Sequence, residues 1–138
     1  MEDKLKLPVD VVKCWIEAVN SHDIPRIMEC LHDDFQYQFN ESKLSGKENV
    51  EKAWKIYLEA IPDLHLEPLL LIGSGEYVAV RFRVTGNNSG PVTSFHTAGS
   101  AIPIPNSPKP IDYNEGEFFR VQEGKILNLW NYWDTAGM

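Results

Sequence analysis

The segment with the most chemistry in this sequence is Leu129-Trp130-Asn131-Tyr132-Trp133-Asp134, which sets a carboxamide and a carboxylate among large aromatic rings. Asp134 is the first candidate acid/base catalyst, because a carboxylate can accept and return a proton once its surroundings shift its pKa. Asn131 cannot exchange a proton near neutral pH, but it can hydrogen-bond a carbonyl or enolate oxygen. Asp134 also has a simpler interpretation as an exposed or capping residue.

Glu117 is the second candidate carboxylate, and it interrupts an otherwise apolar strand pattern. A hairpin turn at Glu123-Gly124 would place Glu117 opposite Trp130, where burial would raise its pKa into a useful range for catalysis. The alternative is an ordinary charge on the hydrated face of a sheet.

The phase of the last strand decides which polar group faces the interior. With a period of two, Asp134 shares a face with Trp130 and Tyr132, and Asn131 lies on the other face. A β-bulge in this strand would change the answer. The sequence therefore leaves open whether Asn131 or Asp134 faces a pocket.

Aromatic residues from several predicted elements could wall such a pocket. Trp15, Trp54 and Tyr57 lie on the apolar faces of predicted helices, where residues usually belong to the core. They could also line a pocket, because the wall of a pocket is continuous with the core. His96 is a further candidate, but a lone His beside apolar residues is more often structural. Rings from separate strands would favour a flat, apolar or aromatic ligand. The candidate ligand-binding residues on these grounds are Trp15, Tyr37, Trp54, Tyr57, Phe95, His96, Phe119, Trp130 and Tyr132.

Other kinds of site have little support in the sequence. No His, Cys or carboxylate pair has the spacing of a metal-binding helix, so we predict no metal. Gly73-Ser74-Gly75 lacks the Lys of a phosphate-binding loop, and no Ser lies in a nucleophile elbow. We accordingly expect no cofactor.

Composition sets the outer limits. The 138 residues predict one domain spanning residues 1–138, and the net charge of −7 and pI near 5.0 argue against nucleic acid and anionic membranes as partners. The first seven residues contain no apolar stretch of a length that spans a membrane. Cys14 and Cys30 have no metal-binding or redox spacing. This predicts buried thiols, not a disulfide or a metal site, and a cytoplasmic location.

The elements that must position these residues are helices first and strands afterwards. Helical spacing from Val9 to Val19 and from Ile24 to Leu31 predicts two helices, and Ser45 with Glu48 forms a capping box before a third, which ends at Pro62. The period then changes to two, and hairpin turns are predicted at Gly73–Gly75 and Glu123-Gly124. Strands are predicted at 35–39, 66–72, 77–85, 92–101, 113–121 and 126–133.

This order predicts an α+β domain with a mainly antiparallel sheet. Four of the nine prolines lie between Ile102 and Pro110, so this segment is expected to be a stiff extended loop, of a kind that often serves as a lid or an interface arm.

The chain resembles the SnoaL-like polyketide or ester cyclases of the nuclear transport factor 2-like superfamily. The similarity spreads along most of the chain, and it depends on the order and spacing of short segments. These segments are Ala18–Asp23, Asp33–Phe35, Gly46–Val50, Ile61–Leu64, Tyr77–Phe82 with Thr85-Gly86, Phe118–Ile126, Trp130 and Tyr132–Asp134.

The resemblance implies a cone-shaped fold, in which a curved sheet wraps round three N-terminal helices, encloses a deep apolar pocket and forms a homodimer. It also implies cofactor-independent acid/base catalysis by an aspartate near the end of the last strand. The chain departs from the family pattern at Leu129 and Asn131, where active members commonly carry His and Asp, and at Gln38, where a second pocket His is expected. Gln38 and Leu129 therefore join the candidate ligand-binding residues.

Three functional hypotheses follow. The first is a cofactor-independent isomerase, cyclase or lyase that acts on an apolar or polyketide-like ligand and uses Asp134 or Glu117 as acid/base and Asn131 as the oxyanion partner. The second is a ligand-binding or carrier protein that kept the pocket without the chemistry. The third is an interaction domain that assembles through its sheet. A pocket carboxylate with a raised pKa would favour the first hypothesis.

Overall fold

Three helices pack on one face of a six-stranded sheet, as the sequence predicts for an α+β fold. The structure is a computed structural model that describes residues 7–40, 42–87 and 110–133. In chain order the elements are α1 (Pro8–Asn20), α2 (Ile24–Glu29), β1 (Leu31–Phe39), β2 (Ser42–Ser45), α3 (Lys47–Ala60), β3 (His65–Ser74), β4 (Tyr77–Asn87), β5 (Pro110–Gln122) and β6 (Lys125–Trp133).

The strands lie in the order β2-β1-β6-β5-β4-β3. Neighbouring strands are antiparallel except β1 and β6, which are parallel. The sheet is curved, and α1 packs across β3 to β6 while α3 packs against β1 and β2. The mainly antiparallel cone predicted from the sequence is therefore confirmed. Its central strands β1, β6 and β5 lie beneath the helices, where side chains of all three strands can meet.

The apolar faces of α1 and α3 form the side of the core that covers the sheet. Val12, Trp15 and Val19 of α1 are fully buried, and so are Val50 and Ala53 of α3. The sheet contributes the alternate residues of each strand, because successive side chains point to opposite faces. These side chains bury the apolar faces of the helices, and this burial stabilises helices that are too short to be stable alone.

Some local predictions differ from the structure. The N-cap of α3 is Gly46, without a side-chain cap, so the capping box predicted at Ser45 and Glu48 is wrong. The chain bends back at Ser42 to form β2, which the sequence analysis missed. Strand β3 continues to Ser74, so its turn falls at Gly75-Glu76 and not at Gly73–Gly75. The strand predicted at 92–101 and the Ile102–Pro110 loop lie outside the described residues, except that Pro110 begins β5.

The hairpin between β5 and β6 is the local structure that matters most for the site. Glu123 and Gly124 both have positive φ, at 56° and 72°, as a tight hairpin turn with the twist of its strands requires. The register then shifts: Val121 pairs with Ile126, but Arg120 pairs with Asn128. Leu127 is thus an extra residue in β6, and every pair beyond it is displaced by one position.

Candidate functional site

A cavity lies between the helices and the central strands. Its volume is about 40 Å³, which is room for a small molecule and well below the roughly 300 Å³ of drug-sized pockets. Indole and phenol rings fill most of the cone, so the space is narrower than the resemblance implied. The lining residues are Trp15, Val50, Ala53, Trp54 and Tyr57 from the helices, Leu64 and Leu66, and Tyr37, Tyr113, Glu115, Glu117, Asn131 and Trp133 from the central strands.

Two carboxyl groups form the polar part of the wall. Glu115 and Glu117 lie two residues apart on β5, so both side chains point to the same face of the sheet. Glu115 is 7% exposed and Glu117 is 2% exposed. Because the two carboxyl groups lie side by side, the charge of Glu115 disfavours ionisation of Glu117. The two groups therefore titrate as a pair.

The shifted register places Asn131 directly opposite Glu117. Asn131 Nδ2 donates a hydrogen bond to the Tyr37 hydroxyl at 3.1 Å. The Asn131 amide also lies near enough to Glu115 to lower the pKa of that carboxyl group. The hydrogen bond to Tyr37 joins β6 to β1 at the cavity.

The pKa values of both carboxyl groups are raised. Burial raises the pKa of Glu115, and hydrogen bonds from its neighbours partly oppose the rise. Burial raises the pKa of Glu117 well above the ordinary value, and the adjacent charge of Glu115 raises it further. A carboxyl group with a raised pKa keeps its proton at a higher pH than an ordinary glutamate does, which suits it to act as a general acid/base.

Three tyrosines surround this pair. Burial is the main cause that raises the pKa values of Tyr37, Tyr57 and Tyr113, and the nearby glutamates raise them further. The Tyr57 and Tyr113 hydroxyls lie close enough for each to change the pKa of the other. These phenols therefore stay neutral at physiological pH and act as hydrogen-bonding groups.

Three buried polar atoms at the cavity have no hydrogen-bond partner among the described residues. They are Glu117 Oε1, Asn131 Oδ1 and Trp133 Nε1. A buried polar group without a partner costs free energy, so such atoms are rare unless a ligand uses them. Two of these atoms accept hydrogen bonds and the third donates one. The cavity thus presents complementary unused groups to a small polar molecule.

The comparisons with known proteins place the chain in a family. A model of the SnoaL-like polyketide cyclases matches residues 9–138. The chain belongs to this SnoaL-like family. No curated protein matches the SnoaL-like chain significantly.

Solved structures show the same fold. A proposed polyketide cyclase from Pseudomonas putida KT2440 has a TM-score of 0.80 at 18% identity, over 95% of this chain and 94% of that one. A proposed SnoaL-like polyketide cyclase from Jannaschia sp. CCS1 has a TM-score of 0.78 at 19% identity, over 94% and 87%. A ketosteroid isomerase-like protein from Catenulispora acidiphila DSM 44928, in complex with trimethylamine, has a TM-score of 0.71 at 14% identity, over 91% and 85%.

The SnoaL-like fold brings six of the sequence-predicted site residues together. Glu117 and Asn131 face each other, and the rings of Trp15, Tyr37, Trp54 and Tyr57 complete the walls. Glu117 lies opposite Asn131 and not Trp130, because of the extra residue in β6.

Other predicted residues do not line this cavity. Trp130 and Tyr132 lie on the opposite face of β6, and Tyr132 is 45% exposed. Phe119 and Leu129 are buried in the core outside the cavity lining, and Gln38 of β1 does not line it either. These five residues were predicted to contact a ligand, but they do not line the cavity. The sequence left the phase of β6 open, and the structure places Trp130 and Tyr132 on the face away from the cavity. Asp134, Phe95 and His96 lie outside the described residues.

Sequence reasoning missed Glu115, Tyr113 and Trp133 of this SnoaL-like chain. Glu115 and Tyr113 could have been predicted, because both lie at a period of two from Glu117 and therefore share its face of the strand. Trp133 shares the face of Asn131, which could be known only once the phase of β6 was fixed.

Two further observations concern the described ranges only. Within residues 7–40, 42–87 and 110–133, no group of three His, Cys, Asp or Glu residues has an arrangement that could hold a metal ion. No helix in the same ranges is long and apolar enough to cross a membrane.

The buried Glu117 predicts an unusual dependence of stability on pH. Its folded pKa is raised above the ordinary value of 4.5, so its contribution is fully present below that value and is lost as pH rises through the folded pKa. Each unit of elevation costs about 1.4 kcal/mol above the folded pKa. We expect thermal unfolding to show that Glu117→Gln gains stability relative to the wild type as pH rises from about 4.5. If the wild type instead becomes more stable relative to Glu117→Gln as pH rises over this range, the raised pKa of Glu117 is contradicted.

Proposed function

We propose that this protein is an acid/base enzyme that moves a proton on a small molecule with its own side chains. The observation that carries the proposal is the buried carboxyl group of Glu117, which lies at the cavity beside Glu115 with its Oε1 unpartnered among the described residues. Perturbed carboxyl groups in a cavity are concentrated at catalytic sites. The small molecule is a carbonyl compound, because the unpartnered Trp133 Nε1–H can donate to an oxygen on which charge develops when a neighbouring carbon loses its proton.

The unused atoms suggest a division of roles. Glu117 takes a proton from the carbon next to a carbonyl group, and the C–H electron pair moves into a C=C bond as the carbonyl oxygen becomes an enolate oxygen. The Trp133 Nε1–H donates a hydrogen bond to that oxygen, where charge develops. Where a C=C bond is conjugated with the enolate, Glu117 returns the proton to the far carbon of that bond as the C=O bond re-forms, which gives an isomer. Alternatively the enolate carbon bonds to a second carbonyl carbon of the ligand, whose C=O π pair moves to its oxygen and takes the proton from Glu117, which gives a ring.

Asn131 has a different role from the one that the sequence suggested. Its Nδ2 already donates to the Tyr37 hydroxyl, and its unused atom is Oδ1, an acceptor. We therefore propose that Asn131 orients Tyr37 and accepts a hydrogen bond from the ligand. The donor to a developing oxyanion is Trp133.

A carrier without chemistry is the alternative from a different functional class. The buried carboxyl pair favours the enzyme over the carrier. Burying two carboxyl groups costs free energy, and an apolar pocket that only binds a ligand does not need them. The cavity volume of about 40 Å³ suits a small carbonyl compound better than a polyketide.

The experiment that tests the proposal measures exchange of carbon-bound hydrogen with solvent deuterium. A panel of small ketones and hydroxyketones is incubated with the wild type and with Glu117→Gln, and incorporation is followed by NMR. We expect exchange that depends on Glu117 for at least one ketone. Equal rates for both proteins throughout the panel would overturn the proposal.

We also propose that the protein forms a homodimer through the outer face of its sheet. Phe118 and Tyr132 contact each other there, with ring centroids 6.2 Å apart, and both are about half exposed. Tyr77 and Ile72 extend the same face and are similarly exposed. Exposed apolar patches of this kind often mark protein interfaces.

Charging this patch should therefore dissociate the dimer. We expect the wild type to sediment as a dimer and Phe118→Glu to sediment as a monomer, because a carboxylate cannot be buried at an apolar contact without a partner. Glu59→Lys, on the exposed side of α3, is the control and should leave the dimer intact. A monomeric wild type, or a dimeric Phe118→Glu protein, would refute the proposal.

A further inference from the structure

The walls of the cavity combine aromatic rings with carboxyl groups and lack a cation. Six rings contribute, those of Trp15, Tyr37, Trp54, Tyr57, Tyr113 and Trp133. Glu115 and Glu117 supply the acids, and no Lys, Arg or His is present among the lining residues in the described part of the chain. We propose that the ligand of this cavity is a small organic cation, a protonated amine, whose ammonium group pairs with Glu117. The inference rests on the proposed function in taking this cavity as the ligand site.

The electrostatic argument starts from the missing countercharge. A buried carboxylate is normally paired with a cation or hydrogen-bonded at all its acceptor sites. Glu117 is 2% exposed, and its Oε1 has no partner among the described residues. Its neighbour Glu115 is a second acid and cannot neutralise it. A ligand with a positive charge would therefore complete the site in a way that a neutral ligand would not.

The aromatic walls fit the same ligand. Trp15 and Trp54 meet edge to face with ring centroids 6.0 Å apart, and Trp54 and Tyr57 meet in the same way at 6.0 Å. Rings at several orientations around a cavity present both faces and edges to it. Aromatic faces attract ammonium groups within about 6 Å, and desolvation strengthens this attraction. The cavity of about 40 Å³ limits such a ligand to a small amine.

The unused hydrogen-bonding atoms define the ligand further. An ammonium N–H can donate to Glu117 Oε1 or to Asn131 Oδ1, which are both acceptors without partners among the described residues. Trp133 Nε1 is a donor, so it would be satisfied by an oxygen elsewhere on the same ligand. The ligand class is thus a small amine that also carries a carbonyl or hydroxyl oxygen, which agrees with proton transfer next to a carbonyl group.

Binding of a cation should release a proton. The titratable groups that line the cavity with Glu117 are Glu115 and Tyr113 on β5, Tyr37 on β1 and Tyr57 on α3. The phenols stay neutral, so the carboxyl pair is the group that titrates. An ammonium ligand stabilises the charged form of the pair and lowers its proton affinity, so the cation should bind more tightly as pH rises through the range in which the empty pair holds its proton.

The test compares a cation with a neutral molecule of the same shape. Trimethylammonium chloride and tert-butanol are titrated into the wild type at about pH 8, by calorimetry at matched ionic strength. We expect the cation to bind at least about tenfold more tightly than the alcohol, with proton release detected by changing the buffer. In Glu117→Gln the two ligands should differ by less than about twofold, while Glu59→Gln on the exposed side of α3 should behave as the wild type.

The outcomes separate this inference from the proposed function. Equal affinity of the wild type for the two molecules, or no binding of the cation, would overturn the cation site even if ketone exchange depends on Glu117. Cation binding without any exchange would support the site and overturn the enzyme. If Glu117→Gln does not fold, the proton release and pH dependence of the wild type decide, because affinity that does not change with pH would refute the pairing.

Discussion

Replacing Glu117 with Gln is expected to lower the rate of hydrogen exchange or turnover by about 10²- to 10⁴-fold, the usual effect of losing a general acid/base. Gln keeps the shape of the side chain and its place opposite Asn131, but it cannot exchange a proton. On a neutral ketone the loss should appear in kcat and not in KM, because such a ligand carries no charge that Glu117 would pair with before the proton transfer. Steady-state kinetics on any ketone that the wild type exchanges provides the measurement.

The matched variant for this experiment is Glu115→Gln, which removes the other half of the pair. The charge of Glu115 raises the pKa of Glu117, so its removal should move the acidic limb of the pH–rate profile to lower pH while activity remains. Glu59→Gln on the exposed side of α3 should change neither rate nor profile. If Glu115→Gln is inactive at every pH and Glu117→Gln is active, the roles of the two glutamates are reversed.

Truncating Trp15 is expected to destabilise the protein by about 3–5 kcal/mol, as for other large buried aromatic residues. Trp15 is 2% exposed, and its ring centroid lies 5.3 Å from that of Phe119 and 6.0 Å from that of Trp54. It joins α1 to α3 and to the sheet, so Trp15→Ala leaves a cavity that these elements cannot easily fill. In urea unfolding the midpoint should fall by roughly 2 M.

The comparison for Trp15 is Trp130, which lies on the other face of β6 and is only partly buried. Trp130→Ala should cost about 1 kcal/mol, near the average for point substitutions, and should leave ligand binding in the cavity unchanged. Similar losses for the two tryptophans would show that the core does not depend on the α1 contact. A selective loss of ligand affinity in Trp130→Ala would show that the assigned phase of β6 is wrong.

The fold was predictable because its signals are local. The helical stripes of α1 and α3 and the period of two in β4, β5 and β6 each fall within about a dozen residues. Strand β2 was missed because four residues carry too little periodicity to be recognised. The cap of α3 was wrong for a related reason: Ser45 and Glu48 match a capping box in sequence, but Ser45 is the last residue of β2.

The site was only partly predictable. Glu117 was identified from its isolation in an apolar strand, and Trp15, Tyr37, Trp54 and Tyr57 from their stripes. Glu115 was missed although it lies two residues from Glu117, because a charged residue near the start of the predicted strand 113–121 is ordinarily hydrated. Its burial depends on the three strands and α3 that close over it, and no segment of β5 alone carries that information.

The sequence by itself determined the order of elements, the α+β class, the turn at Glu123-Gly124 and the presence of a carboxyl group among aromatic rings. Only the tertiary structure decided which residue meets Glu117. One extra residue, Leu127, shifts the pairing of β5 with β6, so that Asn131 and not Trp130 faces the cavity. Because side chains alternate along a strand, a shift of one residue exchanges the two faces entirely. That choice is made by packing across the sheet, where distant segments of the chain meet.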